Sequence, residues 1–190
     1  MLIRDARPAE FAAVGEIRVA AYLADGFLSP DSRYAPRLRE LGADGTGPVL
    51  VAVRDAGPGE REHILGTVML QPWPHGGELL SGPDEAEIRA LAVEPGAQGG
   101  GVGRALLRAV VDRARREGVR HLLLLTQPEM KAAHHLYESA GFGRLPERDR
   151  YPEPGFALLA YGLMLDPAAP DSTVRAGSQT TSGVSGSGCG

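Results

Sequence analysis

Cysteine is nearly missing from this 190-residue chain, which has one, Cys189. A single thiol excludes an intrachain disulfide and a cysteine-built metal site, so no metal is expected. It suits a reducing compartment. An excess of basic residues is missing too. The formal net charge is -4, which argues against nucleic-acid binding through a broad cationic face. Long hydrophobic runs are lacking: the longest, FALLAYGLML at 156–165, is too short to span a bilayer. The opening MLIRDARPAEF places Arg4, Asp5 and Arg7 where a secretory leader would carry an apolar stretch. The expectation is a soluble cytoplasmic protein, with neither nucleic acid nor membrane as partner.

Hydrophobic residues are 43% and charged residues 23%, a globular balance on a chain long enough for one full core. One domain over 1–166 is expected. Residues 167–190 are rich in Ser, Thr and Gly without periodicity, and are expected to form a disordered tail.

The patterning gives the order β α α β β β α β α β β. A short strand at 1–7 is followed by Pro8 and a helix over 9–25, with Phe11, Val14, Ile17 and Ala21 at helical spacing. A weaker helical piece covers 31–42. PVLVAVRD (48–55) and HILGTVMLQ (63–71) read as a hairpin around the turn cluster AGPGERE. A strand over 85–93, a helix over 102–118 and an apolar strand over 119–126 form a βαβ unit, expected to be parallel and right-handed. The helix carries Leu106, Leu107, Val110, Val111 and Ala114 on one stripe and ends at Gly118. A helix over 128–141, with Pro128 in its first turn, and two closing strands within FGRLPERD and FALLAYGLML complete the domain.

The segment EPGAQGGGVGRALL raises the functional question. Glycines stand between a strand and a helix, where the first helical N–H groups lack intrahelical acceptors. Close backbone approach there favours an anion, naturally a phosphate or pyrophosphate. A P-loop needs Gly-Lys-Ser/Thr, and this chain has GVGRA. A dinucleotide fingerprint needs G-x-G-x-x-G/A, and Leu106 occupies its third position. What fits is Q-x-x-G-x-G over Gln98, Gly99, Gly100, Gly101, Val102 and Gly103.

With LAVEP before it and RALL after it, this stretch resembles the coenzyme A-binding segment of the GNAT acyltransferase superfamily. AAHHLYESAGF (132–142) resembles that family's A-x-x-L-Y-x-x-x-G-F signature, and AEIRALAV resembles its central strand. The resemblance implies a mixed, mostly antiparallel sheet with one parallel pair splayed into a V for the cofactor, flanked by about four helices. It implies acetyl-CoA as cofactor, held by Leu91, Ala92 and Val93 along a strand, by residues 98 to 103 and Arg104 at the pyrophosphate, and by Ala133. It implies direct attack of an amine on the thioester. Tyr137 matches the tyrosine that protonates the leaving thiolate, and Glu87 a glutamate that serves some members as general base; a water relay is the open alternative. Met130 departs from the pattern, which commonly has Asn seven residues before the tyrosine. His134 and His135, adjacent on a helix, point about 100° apart and cannot share one ion.

The acceptor side is expected along FLSPDSRYAP and RLPERDRYPEPG, with Tyr22, Asp31, Tyr34 and Trp73 as lining candidates. The acceptor is an amine of a small molecule or peptide. A homodimer stays open, as do a non-catalytic acyl-CoA-binding domain and a nucleotide-binding protein.

Overall fold

The computed structural model describes residues 1–54, 57, 62–76 and 79–166. The tail expected over 167–190, and most of the turn cluster AGPGERE, lie outside the described residues. Strands β1 (Leu2–Asp5), β2 (Val49–Arg54), β3 (His63–Pro72), β4 (Glu85–Val93), β5 (His121–Thr126), β6 (Gly143–Arg144), β7 (Arg150–Glu153) and β8 (Phe156–Met164) form the sheet, in the order β1-β2-β3-β4-β5-β8-β6, with β7 pairing on β8. Only β4 and β5 are parallel among the described pairs. Helices α1 (Phe11–Ala24), α2 (Ala35–Glu40), α3 (Val102–Arg116) and α4 (Lys131–Ser139) flank it.

The two faces of the sheet differ in chemistry. On one, Leu50, Ala52, Val68, Leu70, Ala86, Ile88, Leu122 and Leu124 meet the apolar stripe of α3 together with Tyr137 and Phe142. Every position of the expected α3 stripe is buried. On the other face Val49, Val51, Val53 and Met69 pack against Val14 of α1, and α2 adds Ala35 and Leu38 beside Val19 and Leu28. The period-2 alternation of strands dictates this division. It also turns Gln71, Glu87 and Arg89, which alternate with Leu70, Ala86 and Ile88, toward the α1 side. Hydrocarbon therefore fills one face, and the other carries buried polar groups among its aliphatics.

Three local expectations are corrected. The helix expected from 128 begins at Lys131, because Met130 has a non-helical ψ of 58° and residues 128–129 form a turn. The His134 ring donates from Nε2 to the Gln127 carbonyl at 3.0 Å and holds that turn outside the helix. The strand expected in FGRLPERD shrinks to the two residues of β6, followed by a short 3-10 turn at Pro146–Arg148. The sequence RYPE, to which the patterning assigns no element, forms β7 against β8. Among the described residues no helix is long and apolar enough to cross a membrane.

Candidate active site

The site starts from a break in the ladder. β4 and β5 pair from Glu85↔His121 to Ile88↔Leu124 and no further. β5 continues along β8 through Leu125 and Thr126, and β4 continues along β3 to Val93. The edges of Arg89–Val93 and of the end of β5 that would have faced each other part into a V. Backbone N–H and C=O groups on a parted edge are ready to accept an added strand.

A bulge lies at the same place. Met69 pairs with Arg89 and Thr67 with Ala92, so β4 spends two residues, Ala90 and Leu91, against one on β3. Ala90 takes a φ of 49°, a left-handed conformation that strains a residue with a Cβ. The extra residue inverts the alternation. Ile88 faces the α3 side, and after the bulge so do Leu91 and Val93, while Ala90 packs on the α1 side against the cluster of Val19, Leu28, Ala35 and Leu38.

Beyond β4 the chain makes a short 3-10 turn at Pro95–Ala97 and reaches the glycines. Gly99 and Gly101 have φ of 76° and 80°, and a Cβ on either would meet nothing within 4 Å. Glycine is required here by backbone sign, and the space beside it is open. Gly101 is the N-cap of α3, and the first bond of that helix runs from the Ala105 N–H to the Gly101 carbonyl at 3.0 Å. The N–H groups of Val102, Gly103 and Arg104 precede that bond and have no intrahelical acceptor. Gln98 donates from Nε2 to Asp25 Oδ2 at 3.4 Å, tying the glycine segment to the end of α1. Between α3 and α4 runs a groove of about 360 Å³ lined by Arg104, Leu107, Arg108, Leu136 and Ala140. Gly103 lies under it, 3.6 Å from Leu136 and Val93 side-chain atoms by its would-be Cβ. An open edge, a glycine cradle with free N–H groups and an arginine-lined groove fit an extended thioester cofactor with a pyrophosphate. Ala133 is half-buried on α4 at the margin of the same core.

Two titratable groups approach the V from opposite faces. Tyr137 on α4 is 7% exposed, with Phe142 and Tyr161 rings at centroid distances of 6.0 and 6.4 Å. Burial pushes its phenol well above the usual range, and Tyr22 adds to the shift. Glu87 on β4 is also 7% exposed. Burial raises its carboxyl to about 7, against the opposing pull of Arg89, whose Nε stands 3.7 Å from Glu87 Oε1. Such groups suit an acid and a base at neutral pH: one holds its proton firmly and the other titrates where a base is useful.

Of the four lining candidates, the structure brings two together. Tyr22 on α1 packs against the cluster of Val19, Leu28, Ala35 and Leu38, its phenol pushed up to about 12 by burial. Tyr34, at the start of α2, acts on that phenol as well. Asp31 is exposed in the α1–α2 connection. Trp73 is 42% exposed in the turn after β3, at the opposite end of β4 from the V. The sequence reading missed Arg18, Arg89 and Gln71. Arg18 could have been found, because it sits between Val14 and Tyr22 at i+4 spacing on the apolar stripe of α1. His134 is buried against Tyr161 and His135 is exposed.

Comparison with known proteins follows the same lines. The family model described as Acetyltransferase (GNAT) family matches residues 13–142. A mycothiol acetyltransferase from Cellulomonas flavigena is 33% identical over 118 residues, 61% of this chain and 32% of that protein. The N-alpha-acetyltransferase RimI of Mycobacterium tuberculosis is 45% identical over 69 residues, 36% of this chain and 42% of that one. This chain spans no more than about a third of the length of the mycothiol acetyltransferases it matches. The structure of yncA from Salmonella typhimurium with its cofactor acetyl-CoA superposes with a TM-score of 0.62 at 28% identity, covering 90% of this chain and 98% of that one. The match from α1 to Phe142 spans both walls of the V, and the chain belongs to the GNAT acetyltransferase family.

Proposed function

We propose that residues 1–166 form an N-acetyltransferase that moves an acetyl group from acetyl-CoA onto the amine of a small molecule or peptide by direct attack, with no covalent enzyme intermediate. One observation carries this reading: a buried carboxyl raised to about 7 and a buried phenol stand on the two sides of the parted strands. Acetyl-CoA, when bound, supplies the acetyl group as a thioester. Leu91, Ala92 and Val93 offer their backbone edge to the pantetheine arm. Residues 98 to 103 and Arg104 offer N–H groups to the pyrophosphate, and Ala133 borders the same channel. Relatives named for mycothiol and for an alanine of ribosomal protein bS18 support an acceptor of either kind.

The work of the side chains divides as follows. An amine must be neutral to attack. Glu87, ionised above pH 7 or so, takes its proton. Tyr137 holds its own proton and delivers it to the departing sulfur. Acid and base help of this kind contributes a factor of about 10²–10⁴, and holding amine and thioester together contributes several kcal/mol more. Cytoplasmic residence and a homodimer belong to the same proposal, and sedimentation velocity tests the second. Thiol release measured over a panel of amines tests the activity. Release with at least one amine class is expected; tight CoA binding without release from any would leave a non-catalytic acyl-CoA-binding domain.

A further inference from the structure

Arg18 is the largest fully buried side chain of the molecule, at 0% exposure. Its Nη1 donates to the Leu41 carbonyl at 2.6 Å, at the end of α2. Its Nε and Nη2 are buried with no hydrogen-bond partner, and no carboxylate pairs with it among the described residues. Burial lowers the affinity of this guanidinium for its proton to a pKa of about 10, so it remains charged at neutral pH. A buried charge with two idle donors is expensive, and other arginines of this chain avoid that cost. Arg148 holds Glu85, and Arg144 holds Asp149.

The surroundings of Arg18 are those of the acceptor side. Tyr22 lies one turn further along α1, and Tyr22, Tyr34 and Arg89 are the groups that act on the Arg18 charge. Arg89 stands beside Glu87, and Tyr22 acts on Tyr137. Arg18 and the proposed base share Arg89 as an electrostatic neighbour, and Arg18 and the proposed acid share Tyr22. Arg89 itself donates from Nη1 to Gln71 Oε1 at 2.7 Å. Two guanidiniums and one carboxyl that titrates near 7 leave this wall positive. A purely cationic amine would be repelled by it.

We propose that Arg18 binds an anionic group of the acceptor, and that the acceptor is an amine that also carries a carboxylate, as a free amino acid does. The proposal rests on the acetyl-transfer reading above. The two idle donors, Nε and Nη2, form the side edge of the guanidinium, whose parallel N–H bonds match the two oxygens of one carboxylate. Nη1, spent on the Leu41 carbonyl, fixes the plane of that edge. An acceptor anchored there by its carboxylate has its amine on the next carbon, on the sheet face that Glu87 shares. Burial keeps water from competing for the same donors, which strengthens the selection.

The test uses the full chain and matched sets of amines: amino acids, their carboxamides, the decarboxylated amines and the aminophosphonate analogues. Calorimetry in the presence of CoA reads binding, and thiol release from acetyl-CoA reads turnover. Amino acids should bind about 10²-fold more tightly than their carboxamides, the fold-change expected of a buried charge-assisted pair. The same gap should fall on KM rather than kcat. Arg18→Met should erase the preference and Arg18→Lys should restore part of it, with circular dichroism confirming the fold. The comparison within the wild-type protein holds even if a variant unfolds. No carboxylate preference in the wild type, whether both sets bind alike or neither binds, overturns the proposal. So does a preference that survives Arg18→Met in a folded variant, or one at least tenfold greater for phosphonates. Carboxylate-selective binding without thiol release would uphold this proposal and overturn the acetyl-transfer reading.

Discussion

The face of the sheet under α3 and the face under α1 are built from the same strands and do opposite work. The first is hydrocarbon but for the hydroxyls of Tyr137 and Tyr161: Leu70, Ile88, Leu106, Leu107, Leu122 and Leu124 interlock, each 3% exposed or less. The second buries Arg18, Thr67, Gln71 and Glu87 among its aliphatics. Apolar burial is worth roughly 25 cal/mol per Å², while a buried polar group lacking a partner costs about 1–3 kcal/mol. The α3 face therefore supplies most of the stability, and the α1 face carries buried polar groups at a cost to it. That division can be broken from either side.

The largest effect is expected on the apolar face. Leu106→Ala should lower unfolding free energy by about 4 kcal/mol, as a fully buried leucine does when truncated, and leave kcat per folded molecule within about threefold. Denaturant titration with activity normalised to folded protein checks both halves. Glu87→Gln should do the reverse. We expect kcat/KM to fall by about 10²–10³-fold and the rise of kcat/KM with pH through about 7 to disappear. A carboxyl whose folded pKa is raised from 4.5 to about 7 holds its proton longer in the folded state than in the unfolded one. Wild-type stability should therefore fall as pH rises across that window, and the glutamine variant should lack the fall. Melting curves from pH 4 to pH 8 measure it.

Tyr137→Phe tests the proposed acid, which lies on the apolar face. It should keep cofactor affinity and lower the single-turnover rate by about 10²-fold, the low end for acid catalysis. Gly101→Ala places a Cβ on a residue at φ 80° with open space around it, so only backbone strain is added, about 1–2 kcal/mol. Its melting temperature should drop and its CoA affinity weaken together, by calorimetry. Thr67→Val is the smallest change. Thr67 Oγ1 is buried without a partner, so the isosteric methyl should raise stability by up to about 1 kcal/mol with activity intact. A loss of activity there would show the hydroxyl to be part of the site.

Much of this was legible in the sequence, for reasons that differ by element. The α3 stripe and the leucine run of β5 are strong periodic signals, and both landed where periodicity put them. The glycine segment was legible because positive φ at Gly99 and Gly101 is something glycine alone supplies cheaply. The bulge was not, because its φ of 49° falls on an alanine, a residue type that gives no warning of it. The late start of α4 depended on a side chain seven residues away, His134 reaching the Gln127 carbonyl. Strand β7 exists because β8 offers it an edge, which no local pattern announces. Arg18 was visible as a charge on an apolar stripe, but its idle donors are a property of packing.

Gln127 also donates from Nε2 to the Phe27 carbonyl at 3.3 Å, joining the turn before α4 to the connection after α1. With the Gln98–Asp25 contact, that latch joins two separate stretches of the chain. Everything that walls the polar face, from Phe11 to Leu41, is one uninterrupted stretch of chain between β1 and β2. The proposed cofactor channel is drawn from residues 91 to 137. A lineage could exchange the first stretch wholesale, and with it the molecule it accepts, while the acetyl donor went on being read by the same unaltered half.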